Sequence, residues 1–449
     1  MRQVFGVPSN PARTGSRKRA SLTQDCHING LKGSTGPALA RPETMPWRPP
    51  MNFVPRFGQS ETQPASAAPE IRIMPPASPR HSGRTRDIRL DFFRGLAMMI
   101  ILVSHIPFDD WALWIPARFG FSDATEMFVF QSGMASALAF GGTFRRQGWT
   151  ALLVRIARRI WQIYWAHVGV FVVVIALLSV AGTRPGGESY IDSLNLLPFV
   201  HDPARMMAAF LSLRYVPNYF DILPMYMALL AMLPLMLAAE CLHRHLPLAL
   251  MAALWLMAQA GWNLSAEPWS DRPWFFNPLG WQLCFFTGFF IVRGIISAPR
   301  PDWRLMALAA LFILLAVPFA LVRYQETHPF FRDAAQALLP LTDKTRFGFL
   351  RLLHFLALAY LAACLAGPGG ARLKGWLVKA VVMIGQHSLA VFVVSMAAAQ
   401  ALGMALDQWG RSALPLAAVN IGGFLLLLAT ARLMRWLKQA EMPSTANPA

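Results

Sequence analysis

Few side chains in this sequence can do chemistry, and several of those lie inside long apolar runs. The segment LDFFRGLAMMIILVSHIPF (90–108) holds Asp91, Arg94 and His105. An ionisable group inside a bilayer is expensive, so each is a functional candidate by default. Asp91 and Arg94 stand three residues apart, about one helical turn, and can pair. His105 follows Arg94 by eleven residues, which returns it to the same helix face roughly 16 Å along the axis. A cation at one mouth and an imidazole deeper in would form one wall of a tunnel. Imidazole is a general base near neutral pH and can take the proton of a sugar hydroxyl attacking a thioester. The same histidine beside Pro107 also reads as a helix-end cap.

Other polar groups sit where apolar segments begin. RYVPNYFDILPMY (214–226) gathers Asn218, Tyr219 and Asp221. Asp221 can orient an imidazole or bind a hydroxyl, and it equally suits an N-cap. DKTRFGFLRLLHFLALAY (343–360) carries Asp343, Lys344 and Arg346, then Arg351 and His354 three residues apart on one helix face. Phe347 continues that face, which should point into the bundle, either toward substrate or as a polar contact between helices. GQHSLAVF (385–392) places His387 and Ser388 at the start of another run, where a cap or a backbone contact is the plainer reading. NPLGWQL (277–283) offers Trp281 for an aromatic belt and Gln282 as a hydroxyl ligand. Arg155, Arg158 and Arg159 suit either membrane anchoring or the phosphates of an acyl carrier. No Walker loop, nucleophile elbow or HExxH motif appears, and Cys26, Cys241, Cys284 and Cys364 support neither a disulfide framework nor a zinc site.

These groups need a membrane scaffold. Of the 449 residues, 55% are apolar and only 14% charged, against roughly 25% charged in a soluble domain. That argues against a soluble enzyme, a disordered scaffold and a coiled coil. Fifteen Trp and 31 Phe suit lipid-facing and interfacial surfaces. The net charge of +18 sits between apolar runs, so positive-inside bias explains it better than nucleic-acid binding. The reading is all-α, with about ten spans near 90–107, 124–141, 160–181, 221–239, 247–262, 279–297, 304–322, 347–366, 380–401 and 413–434. Basic loops (Arg145, Arg146, Arg155, Arg158 and Arg159; Arg372, Lys374 and Lys379) alternate with mixed or acidic ones (Asp109, Asp110, Asp123 and Glu126; Glu267 and Asp271). The alternation puts both termini in the cytoplasm. Residues 1–83 hold 13 of the 34 prolines and 11 Lys/Arg, and read as a disordered basic tail or as sequence upstream of a later start such as Met51 or Met74. The membrane domain is then 84–438, with a short tail 439–449.

In chain order, RDIRLDFFRGLAMMIILVSHIP, FVFQSGMASALAFG, YVPNYFDILPMY, NPLGWQLCFFTG, DKTRFGFLRLLHFLALAY and GQHSLAVF resemble the OpgC family, over roughly residues 85–435. That family modifies osmoregulated periplasmic glucans, typically with succinyl groups, and belongs to the wider membrane acyltransferase superfamily. The resemblance implies a multi-pass inner-membrane enzyme with succinyl-CoA or another acyl-CoA as donor, a periplasmic glucan as acceptor, and no tightly bound cofactor or metal. It implies Arg94 and His105 as the superfamily signature, with His105 the catalytic base; Arg94 would hold the donor and Asp221 would help place the sugar. Asp91, Asn218, Tyr219, Gln282, Asp343, Lys344, Arg351 and His354 are then substrate-side groups, and Arg155, Arg158 and Arg159 carrier-side groups. Relatives often have Asp or Asn before the histidine, where this chain has Ser104, a weaker orienting partner. O-acetylation of another envelope polysaccharide, and transport of a glycan or organic anion, are the rival readings.

Overall fold

The computed structural model describes residues 87–441, and all of them belong to one unit, His81–Ala449. The proline-rich segment 1–83 and residues 442–449 lie outside the described residues. Fifteen α-helices follow in order: α1 (Ile88–His105), α2 (Ala124–Ser136), α3 (Gly142–Ala181), α4 (Leu197–His201), α5 (Pro203–Leu211), α6 (Ile222–Leu242), α7 (Leu246–Gln259) and α8 (Pro278–Arg293). Then come α9 (Trp303–Ala320), α10 (Val322–Thr327), α11 (Pro329–Thr342), α12 (Phe349–Ala366), α13 (Trp376–Gln386), α14 (Ser388–Trp409) and α15 (Ala413–Ala440). No strand occurs among the described residues, only two isolated bridges, so the all-α expectation holds there.

Six helical stretches are long and apolar enough to cross a bilayer: Ala124–Ala181, Ile222–Leu242, Trp303–Ala320, Phe349–Ala366, Ser388–Trp409 and Ala413–Ala440. The chain is therefore a multi-pass membrane protein. Helices occupy the other expected spans too, but they fall short for physical reasons. The helix α1 carries Arg89, Asp91 and Arg94. The 16 residues of α8 reach about 24 Å, less than a hydrocarbon core of about 30 Å. Two expectations are corrected. The span drawn as one helix over 380–401 is two, broken where His387 leaves helical geometry between α13 and α14. Phe347 does not lie on the helix of Arg351; it precedes that helix with φ 58°, yet is fully buried against Trp281.

Helix ends follow local chemistry. Asp123 caps α2 by accepting from Thr125 N at 2.7 Å, while Glu126 accepts from Asp123 N at 2.7 Å, a reciprocal capping box. Asn277 caps α8 ahead of Pro278, whose missing N–H costs nothing in the first turn. Between α2 and α3 the helix continues through a π-turn at Ala137–Gly141 and bends at Gly148, where φ is 76°.

Small residues let helices approach to backbone contact. A Cβ on Gly95 of α1 would lie 1.9 Å from the carbonyl oxygen of Val381 on α13, and one on Gly385 would lie 1.8 Å from that of Asp91. Gly133 of α2 and Gly288 of α8 serve a second crossing in the same way, against the carbonyls of Phe285 and Phe130. Gly95→Ala is expected to force α1 and α13 apart and destabilise the bundle by roughly 1–3 kcal/mol, as overpacking does. Thermal unfolding of the detergent-solubilised protein measures it, and an unchanged midpoint would contradict the crossing.

Candidate active site

His105 ends α1 half-buried. Its Nδ1 lies 2.7 Å from the carbonyl oxygen of Ile101. A carbonyl only accepts, so Nδ1 carries the proton and Nε2 keeps its lone pair as a base. Ser104 Oγ donates to the same carbonyl at 2.8 Å and lies 3.1 Å from Nδ1. The main chain therefore orients the imidazole, and Ser104 adds only a flank.

Tyr219 packs edge-on against His105, with ring centroids 5.2 Å apart. It occupies the third position of the turn Pro217–Phe220, closed by Phe220 N donating to Pro217 O at 3.2 Å. There its φ is 84°, a conformation that strains a bulky residue by roughly 1–3 kcal/mol. Its hydroxyl, donating to Met396 O on α14 at 2.5 Å, holds the turn closed. Asp221 follows, buried, with no side-chain hydrogen bond to the α6 amides and with Oδ1 unpartnered. It stands at the N-cap position of α6, but its side chain does not cap the helix. Asn218 accepts at Oδ1 from Arg272 Nη1 at 3.2 Å. Arg272 also donates to Val216 O at 2.7 Å and to Glu267 at 3.0 Å, tying the loop before α6 to the loop before α8.

The loop before α12 and the first turns of that helix supply the next charged groups. Lys344 pairs with Asp123 at 2.5 Å and lies over the rings of Phe275 and Phe276. Arg351 binds Glu126 at 2.6 and 2.8 Å, with Asp123 3.5 Å away. Glu126 is fully buried. His354 Nδ1 lies 2.8 Å from Ser122 Oγ, while its Nε2 has no partner. A Cβ on Gly120 would lie 2.3 Å from that Nε2, so only glycine admits the ring there. Burial alone would raise the Asp123 carboxyl, but Lys344 and Arg351 outweigh it and hold it far below its ordinary value of 3.8. A depressed carboxyl stabilises the fold above its unfolded value and loses that contribution as pH falls. The stability gap between wild type and Asp123→Asn should thus be wide at pH 7 and close below pH 3.8, as thermal unfolding across pH would show.

His105, Asn218, Tyr219, Asp221, Lys344, Arg351 and His354 thus fall on one connected end of the bundle. Other expected residues sit elsewhere. Arg94 donates to Gln131 O on α2 at 3.0 Å, and buried Asp91 accepts from Gln386 at 3.5 Å, both toward the far end of α1. Gln282 donates to Met251 O and Leu279 O, tying α8 to α7. Asp343 accepts from the amides of Thr345 and Arg346. Arg155 and Arg158 are exposed on α3, and Arg159 reaches Gln162. Sequence reasoning counted Asp123 and Glu126 only as loop charges and gave Arg272 no role. The D-x-x-E spacing before an apolar run was the available signal for the first two. Among the described residues, no three His, Cys, Asp or Glu side chains gather as a metal would require.

The model of the family described as OpgC protein matches residues 86–439, nearly all of the described structure. The chain belongs to the OpgC family. No curated protein and no solved structure matches it. OpgC membership carries the coarse function with it, a membrane acyltransferase acting on glucans. The OpgC match spans both the His105 helix and the Asp123–Arg351 cluster, so the described site lies wholly within the shared domain.

Proposed function

We propose that this OpgC protein transfers a succinyl group from succinyl-CoA to a hydroxyl of a periplasmic glucan, in the bacterial inner membrane. The observation that carries the reading is the tautomer of His105, whose Nδ1–H is held by Ile101 O so that Nε2 keeps its lone pair, at the end of the bundle where Asn218, Tyr219 and Asp221 lie. His105 Nε2 takes the hydroxyl proton, the sugar oxygen attacks the thioester carbonyl carbon, the C–O bond forms and the C–S bond breaks. The imidazolium returns its proton to the departing thiolate. Asp221, whose Oδ1 is buried without a hydrogen-bond partner, places the sugar, as do Asn218 and Tyr219. Lys344 and Arg351 shape the field of the pocket. Gln282 and Asp343 act on the substrate side through the elements they tie, as His354 does through Ser122. Arg94, with Asp91, holds the donor from the other end of α1. Arg155, Arg158 and Arg159 meet the carrier phosphates, a geometry guanidinium groups favour. Ten crossings with both termini cytoplasmic, supported by the alternation of basic and mixed loops, put donor and acceptor on opposite sides.

The test is chemical. Periplasmic glucans extracted from a deletion strain should lose the succinyl mass and its negative charge, and the purified protein should move label from succinyl-CoA to glucan. Unchanged glucans would remove the reading. Label carried from acetyl-CoA alone would favour acetylation, and movement of glycan without covalent change would favour transport.

A further inference from the structure

A cleft of about 460 Å³ opens beside the segment that leaves α1. Its walls are the 184–188 turn and the end of α14 with the residues just after it, and Phe108 lies between them. The volume is in the range of small-ligand sites. Phe108 is half exposed, at 51%, and holds φ 57°, an unfavourable conformation for a bulky residue. Two guanidinium groups flank its ring, Arg184 at 5.1 Å and Arg411 at 5.5 Å from the centroid. Arg411 donates to the carbonyls of Pro107 and Phe108 at 3.0 and 2.8 Å and pairs with Asp407, so the ring is fixed in place. Asp407 also accepts from Tyr190 at 3.0 Å. Arg184 Nε is buried without a hydrogen bond, its nearest carboxylate oxygen 3.7 Å away on Asp407. Glu188 projects from the same turn, exposed.

The chemistry of this lining selects its ligand. Two guanidinium and two carboxylate groups cancel, so the cleft offers an anion no net attraction. It offers N–H donors, a carboxylate acceptor and an exposed ring. Hydroxyl groups need both kinds of hydrogen-bond partner, and the part of the Phe108 ring left exposed beside the guanidinium groups can meet the apolar C–H groups of a sugar. The location adds a second argument: Phe108 is three residues past His105, at most about 11 Å of chain.

We propose that this cleft binds neutral sugar units of the acceptor glucan, next to the unit whose hydroxyl reacts at His105. The inference rests on the acyl-transfer reading above and gives it an acceptor subsite. The experiment separates the two. Calorimetry with the full-length protein in detergent, carrying His105→Ala to prevent turnover, measures binding of a neutral linear gluco-oligosaccharide. Glu188→Ala, which removes a charged hydrogen-bond acceptor, and Phe108→Leu, which removes the ring that the sugar packs on, both change exposed side chains and should each weaken that binding about tenfold. With His105 intact, the same variants should raise the acceptor KM about tenfold and leave the donor KM unchanged. Equal binding by all proteins would overturn the cleft and leave acyl transfer standing. Succinate competing for the cleft would overturn it in favour of an anion site. A wild-type protein that acylates no glucan would remove the acyl-transfer reading and the subsite with it.

Discussion

His105→Ala is expected to lower kcat on the order of 10²–10⁴-fold, the usual contribution of a positioned general base. The variant protein should remain in the membrane at wild-type abundance. The imidazole is half-buried and its polar contacts are to its own helix and Ser104, so its loss leaves no buried charge uncompensated. His105→Gln keeps a donor near Ile101 O but has no basic nitrogen, and should be as inactive as the alanine variant. Ser104→Ala should cost far less, because Ile101 O alone fixes the tautomer. Initial rates with saturating labelled donor check all three. Wild-type turnover in either His105 variant would sink the proposed mechanism.

Arg351→Met is expected to destabilise the folded bundle by about 3–5 kcal/mol, the cost of leaving one member of a buried ion pair alone. Glu126 is fully buried and loses its closest cation in this variant. Glu126→Leu strands Arg351 beside Asp123 and should cost less, since the 3.5 Å contact to Asp123 survives. The double variant should recover much of the loss, because an apolar pair of similar volume replaces an ion pair at little net cost. Thermal unfolding of the solubilised protein reads the stabilities. Additive losses in the double variant would show that the two side chains are not coupled.

The sequence made the membrane helices legible because 18 or more apolar residues in a row have few other homes. It also exposed His105, Asp221, Arg351 and His354, since charge inside an apolar run stands out. What it hid was pairing. Asp123 and Glu126 looked like loop acids because their cations, Lys344 and Arg351, lie more than two hundred residues away. Arg272 was hidden for the same reason, as its partners Val216 and Asn218 belong to another loop. The break at His387 was invisible to hydropathy, since apolar runs lie on both sides of the short polar stretch Gln386–Ser388. Phe347 was misplaced because a helical spacing continued one turn too early, and glycine is not the only residue that takes a positive φ under tight packing.

The clamp between Gly95 and Gly385 makes α1 and α13 a single rigid strut, since neither can slide sideways without a clash of main chains. The helix that grips Tyr219 through Met396 is α14, and it meets that strut at the His387 break. The two sides of the His105–Tyr219 contact therefore hang from neighbouring helices, α1 and α14, which pack directly on one another. A shift of either helix is passed straight to the imidazole and the tyrosine ring, so the geometry of the base is set by how these two helices cross.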